Sequence, residues 1–106
     1  MSKDIKNILK NNKVRFMIFK KGSNWYGVAL EFNIVEVNKD PEIVLLDLLE
    51  AMAGYVYSAI KNNVHPSMLN QKTDKEYEKI WKQINKKDQK STAPIYMFGK
   101  KALTGV

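Results

Sequence analysis

The chain has 106 residues, 44% of them hydrophobic and 27% charged, proportions that suit one ordinary globular domain and exclude a disordered tail. It contains no cysteine, which removes disulfides, thiolate metal sites and a cysteine nucleophile together. The net charge is +7, but it is unevenly spread: residues 1–21 balance at +6, residues 22–60 at −5 and residues 61–106 at +6. Arg15 is the only arginine, whereas base and phosphate readers favour the planar fork of that side chain over an ammonium. No uninterrupted apolar run approaches the ~20 residues of a bilayer span. The polar start, MSKDIKNILKNNK, lacks a signal-peptide core, so the expected compartment is the cytoplasm, with no membrane partner.

Residues 1–12 place Ile5, Ile8 and Leu9 at helical spacing behind Ser2 and predict a short N-terminal helix ending at Asn11-Asn12. From Lys13 the period changes to two. Val14, Phe16 and Ile18 point one way and Arg15, Met17 and Phe19 the other. After the turn residues Lys20-Lys21-Gly22-Ser23-Asn24, the residues Tyr26, Val28, Leu30 and Phe32 alternate with Trp25, Gly27, Ala29 and Glu31, a hairpin signal. A single residue, Asn33, separates this run from Ile34-Val35-Glu36-Val37, a third strand. Links this short imply an antiparallel meander.

Asp40-Pro41 then opens the strongest helical pattern. Asp40 is a good N-cap, Pro41 suits the first helical position, and Leu45, Leu49, Met52, Val56 and Ile60 repeat at helical spacing. Leu46, Leu48, Ala53 and Ala59 widen that stripe, and Lys61-Asn62-Asn63 closes it. A connection containing His65-Pro66 leads to Thr73-Asp74-Lys75-Glu76, a capping-box pattern. Behind it Tyr77, Ile80, Trp81 and Ile84 share one face of a second amphipathic helix. KKDQKSTAP reads as loop, Pro94 to Phe98 as a short strand, and Gly99 to Val106 as a weakly patterned tail. The fold class is therefore α+β: a three-stranded antiparallel meander with a long helix on one face, then a second helix and a short C-terminal strand.

The inventory is poor in chemistry. His65 is the only histidine and sits in a polar connection without a nearby acidic cluster, more typical of a solvated residue than a catalytic one. Asp47 and Glu50 share a helix face roughly opposite the apolar stripe, but no third ligand or desolvating wall accompanies them. The five glycines are isolated and form no phosphate loop. No catalytic residue, metal ligand or cofactor is assigned, and an enzyme is not expected.

The stretch from Trp25 to Val35, followed by a short turn and a long helix from Asp40, resembles the HicB-like antitoxin family. Leu30-Glu31-Phe32-Asn33-Ile34-Val35 matches that family's leucine-acid-leucine-x-isoleucine-valine type of run, and Leu48-Leu49-Glu50-Ala51-Met52 is similar to its helix. Asn38-Lys39-Asp40 stands in place of its Gly-x-Thr turn, where Asn tolerates a left-handed backbone and Asp caps as well as Thr. Ile43-Val44 replaces the usual Glu-Ala pair, and the C-terminal segment shows one capped helix where many members carry a DNA-binding unit. The resemblance covers residues 13–63 and implies a βββα core of degenerate RNase H-like or double-stranded-RNA-domain-like form. It also implies a non-enzymatic module that covers a small basic messenger-RNA interferase and often forms a homodimer.

The expected organisation is thus one domain over 1–106, with the short helix at 1–12, the core at 13–63, and helix, strand and tail over 64–106. The expected partner surface is the acidic centre, with Glu31, Glu36, Asp47 and Glu50 as contact residues for a small basic protein toxin. The alternative is an RNA- or DNA-binding domain. It would use the lysine-rich ends, namely Lys3, Lys6, Lys10, Lys13, Lys20 and Lys21 with Lys86, Lys87, Lys90, Lys100 and Lys101.

Overall fold

The computed structural model describes residues 13–64, 73–85 and 94–102. The expected helix over 1–12, with Lys3, Lys6 and Lys10, lies outside the described residues, as do His65, Lys86, Lys87 and Lys90. The elements run β1 (Lys13–Lys21), β2 (Asn24–Ala29), β3 (Ile34–Asn38), α1 (Pro41–Lys61), α2 (Lys75–Asn85) and β4 (Ile95–Ala102). The fold is α+β: one antiparallel sheet of order β3-β2-β1-β4 with two helices.

Local chemistry accounts for most of the connections. Lys21 pairs with Asn24, leaving a two-residue hairpin loop whose first residue, Gly22, has φ +67, as a type II′ turn requires. The link from β2 to β3 is longer than the single residue expected. β2 ends at Ala29, and Leu30 to Asn33 form a turn in which Asn33 takes φ +55 and its N–H donates to the Leu30 carbonyl. The turn breaks the two-residue period. Leu30 therefore packs on one face of the sheet with Val28, while Phe32 packs on the other with Ala29.

Asp40 caps α1 as expected, accepting from the Glu42 N–H at 2.9 Å. Asn38 does not adopt a left-handed backbone; its side-chain oxygen accepts from the Asp40 N–H instead, an Asx turn that leads the chain into the helix. At the other end Asn63 takes φ +61, its N–H donates to the Ile60 carbonyl and the Val64 N–H to the Ala59 carbonyl. This pair of bonds is a Schellman cap with Asn in place of the usual Gly. The capping box expected before α2 does not form. Asp74 caps that helix through the Glu76 N–H, and the Thr73 hydroxyl donates to the Leu30 carbonyl, tying the helix start to the β2–β3 turn.

β4 extends to Ala102, well past the short strand expected at Pro94–Phe98, because Phe16, Arg15, Val14 and Lys13 of β1 pair with Gly99, Lys100, Lys101 and Ala102. A bulge near Phe19 accommodates Tyr96.

The sheet carries an apolar layer on each face. α1 packs on one face, joining Val14 and Ala29 to Phe32, Leu48, Met52 and Val56. α2 covers the other face, where Tyr77, Ile80, Trp81 and Ile84 meet Met17, Phe19, Val28 and Leu30. The α2 face is the one its spacing predicted.

The α1 face is not. Its buried line is Val44, Leu48, Met52, Val56 and Ala59. Leu45 and Leu49 are only half-buried, and Leu46, Ala53 and Ile60 are exposed. Met52 and Val56 belong to both lines, and the centre of the buried line lies roughly 60° around the helix from the stripe that periodicity selects. Gly27 shows why. A Cβ there would lie 2.5 Å from a Val44 methyl and 3.3 Å from Leu48, so α1 rests directly on the β2 backbone along the Val44–Leu48 side.

Gly27→Ala forces that contact apart and is expected to destabilise the fold by about 1–3 kcal/mol. Gly54→Ala, at a helical glycine with nothing within 4 Å of the added carbon, is expected to stabilise it by about 0.5–1 kcal/mol. Urea denaturation of the two variants checks both signs.

Candidate functional site

Arg15 is the polar centre of the structure. It sits on β1 among apolar neighbours, on the face covered by α2. Its two terminal nitrogens donate to the two oxygens of Glu78 at 2.9 and 2.7 Å, and its Nε donates to Glu31. The backbone N–H of Arg15 also donates to Glu31, at 2.8 Å, and the guanidinium lies 5.7 Å from the Trp81 ring centroid. One side chain thereby joins β1, the β2–β3 turn and α2. Burial works against the Arg15 charge, but the hydrogen bonds and charges of Glu78 and Glu31 outweigh it and hold the guanidinium more firmly protonated than usual. The Arg15 hydrogen bond in turn holds the Glu78 carboxyl below the ordinary glutamate range, against a smaller opposing effect of burial. Arg15 stood out in the sequence as the lone arginine. Glu78 carried no signal there, because its partner lies 63 residues away.

The four carboxylates named for the partner surface fall in three places. Glu31 is engaged with Arg15 and its side chain is only 13% exposed. Glu36 pairs with Gly27 across β2–β3 and is half-buried on the α1 side of the sheet. Asp47 and Glu50 are exposed on α1. They lie on the side of the helix that turns away from the sheet, together with Ile43, Leu46, Tyr57 and Ile60, which are 42%, 65%, 66% and 43% exposed. At 100° per residue this second apolar line is nearly opposite the buried one. Among the described residues α1 is thus apolar on two opposite sides and covered on one, with Glu42, Asp47 and Glu50 interleaved in the outer line. By length and composition alone the helix is also apolar enough to cross a bilayer, while its inner line packs on the sheet as a core helix does.

The lysines fall on the opposite edge. β4 lies beside β1, so Lys100 and Lys101 come next to Arg15 and Val14. β1, β2 and β4 together carry six basic residues and no acidic one. Of these, Lys21 is bound to Glu76 at 2.8 Å, which raises its pKa from the ordinary lysine value. Lys13, Lys20, Lys100 and Lys101 are exposed and make no salt bridge among the described residues.

No group of three or more His, Cys, Asp or Glu side chains converges among the described residues, and none of their polar or charged side chains is fully buried. Comparison with protein-family models, with curated proteins and with solved structures finds no match.

Removing the Arg15 guanidinium leaves the largely buried Glu31 without its counter-charge, so Arg15→Met is expected to cost about 3 kcal/mol. Glu78→Gln, at a carboxylate 35% exposed and screened by water, is expected to cost about 1 kcal/mol. Because the Glu78 carboxyl is depressed in the fold, its contribution is present above the ordinary glutamate range and is lost as pH falls through the depressed value. Melting curves taken from neutral to acid pH are therefore expected to converge for Glu78→Gln and the unmodified chain at the acid end.

Proposed function

We propose that this chain is a non-enzymatic protein-interaction module of the HicB-like antitoxin kind, which binds and neutralises a small basic messenger-RNA interferase. The observation that carries the reading is the outer line of α1. A helix with apolar lines on opposite sides buries both when its assembly is complete, and among the described residues only the inner one is covered. Exposed Leu46 and Tyr57 supply the apolar centre of a docking surface. Glu42, Asp47 and Glu50 supply charges that would steer a basic partner and fix its register.

The kind of partner comes from the resemblance over residues 13–63. The sheet-and-helix layout of that segment agrees with what the resemblance implies. Of the four carboxylates expected at the partner surface, Asp47 and Glu50 remain as partner residues. Glu36 contributes at most from the rim, and Glu31 serves the Arg15 cluster.

The test is co-expression with the product of the adjacent reading frame, expected to be a small basic protein, followed by titration calorimetry on the purified pair. A stable complex is expected, weakened at least tenfold by Leu46→Asp and by the double reversal Asp47→Lys with Glu50→Lys, each a loss of about 1.4 kcal/mol or more. Both changes lie on solvent-facing positions, so their melting temperatures should stay close to that of the unmodified chain. No complex, or binding indifferent to both variants, would overturn the reading.

A further inference from the structure

Among the described residues, nothing covers the β4 edge of the sheet face that α1 packs against. There Tyr96 and Met97 are 40% and 39% exposed. Tyr96 meets half-buried Trp25 edge-to-face, with ring centroids 6.1 Å apart. The Lys20 ammonium lies 5.9 Å from the Trp25 ring centroid. Phe16, half-buried, lies against Gly99, where a Cβ would come within 3.4 Å of its ring. Register places Lys101 opposite Val14 at the far end of the same face, six residues along β1 from Lys20, or about 20 Å. This is a row of half-buried and exposed rings with an exposed methionine between two lysines. It runs along an edge whose strands carry no acidic residue.

We propose that this edge binds single-stranded nucleic acid, with bases stacked on the Trp25–Tyr96 pair and the phosphate backbone held by Lys20 at one end and Lys101 at the other. The chemistry of the patch selects this occupant. Aromatic side chains stack on any unpaired base, and lysines hold phosphates by charge without the directed fork that sequence readout requires. A base entering over Trp25 takes the place of the Lys20 ammonium, which is then free to pair with the adjacent phosphate. The bases of a duplex are stacked on one another and unavailable to the rings, so the site favours single strands. A track of about 20 Å suits the smallest such sites, about four nucleotides. α1 lies over β2 and β3 on the same face, and the patch lies beside it along β1 and β4.

Fluorescence anisotropy with a labelled oligouridine of about 12 nucleotides, titrated between about 50 and 200 mM salt, tests the site. Binding that weakens steeply with salt is expected, together with quenching of Trp fluorescence that Trp81→Phe retains and Trp25→Phe abolishes. Trp25→Ala and Tyr96→Ala are each expected to weaken binding by about five- to hundredfold, with Trp25→Phe largely restoring it. If the alanine variants fail to fold, Lys20→Gln with Lys101→Gln decides the matter at exposed positions. The salt slope should then fall by about 0.7 for each phosphate that is no longer neutralised. Absence of binding at low salt, equal affinity for a duplex of the same length, or an unchanged salt slope in the lysine variant would overturn the proposal.

Discussion

β1 is apolar on both faces, and the rest of the structure answers that constraint. Val14 and Ile18 on one side and Met17 and Phe19 on the other are all essentially inaccessible. A strand of this kind cannot sit at an edge or face water. It needs neighbours on both sides and a layer above and below. β2 and β4 supply the neighbours, while helices lie against both faces of the sheet. Arg15, the polar exception in the middle of β1, is accommodated by two carboxylates from separate parts of the chain. The ion pairs therefore fasten the same layers that the apolar residues fill. Neither contribution stands alone. Breaking the cluster would expose a charge between α2 and the sheet, and undocking α2 would expose its Tyr77, Ile80, Trp81 and Ile84.

The way the chain closes also sorts its charge. After α2 it returns beside β1 and not beside β3, so the C-terminal lysines join those of the N-terminal strand. The acidic residues of β3 and α1 are left at the other edge. A composition that sums to +7 thereby becomes a molecule with a basic edge and an acidic helix. Local fields of opposite sign matter more for encounter with partners than the total does.

α1 links fold to function. Its inner line holds the sheet, with Val44 and Leu48 seated on the backbone at Gly27. That contact sets the rotation of the helix about its axis. The rotation in turn decides which apolar residues remain outside, and Leu46 and Tyr57 become a surface feature beside Asp47 and Glu50. One glycine in a strand thus determines what the far side of the helix presents.

Much of this was legible from local pattern. The two-residue period of Val14 to Phe19, the Gly22 hairpin, the Asp40-Pro41 helix start and the Tyr77–Ile84 face each depend on residues a few positions apart, and each is found as the pattern implies. The helix-spaced apolar residues of α1 were legible too, but not which of them are buried, because a helix apolar on two sides satisfies the same period in more than one orientation. The extension of β4 through Gly99, Lys100 and Lys101 had no local signal, since its hydrogen-bonding partners lie more than 80 residues earlier on β1. For the same reason Glu31 read as a free acidic residue until the fold brought Arg15 to it. The sequence alone determined most of the elements, the cap at Asp40 and the uneven spread of charge, all short-range properties of a chain. Only the tertiary structure decided which charges are neutralised, which face of α1 is left open and where the lysines gather, because each depends on contacts that exist only once distant strands are paired.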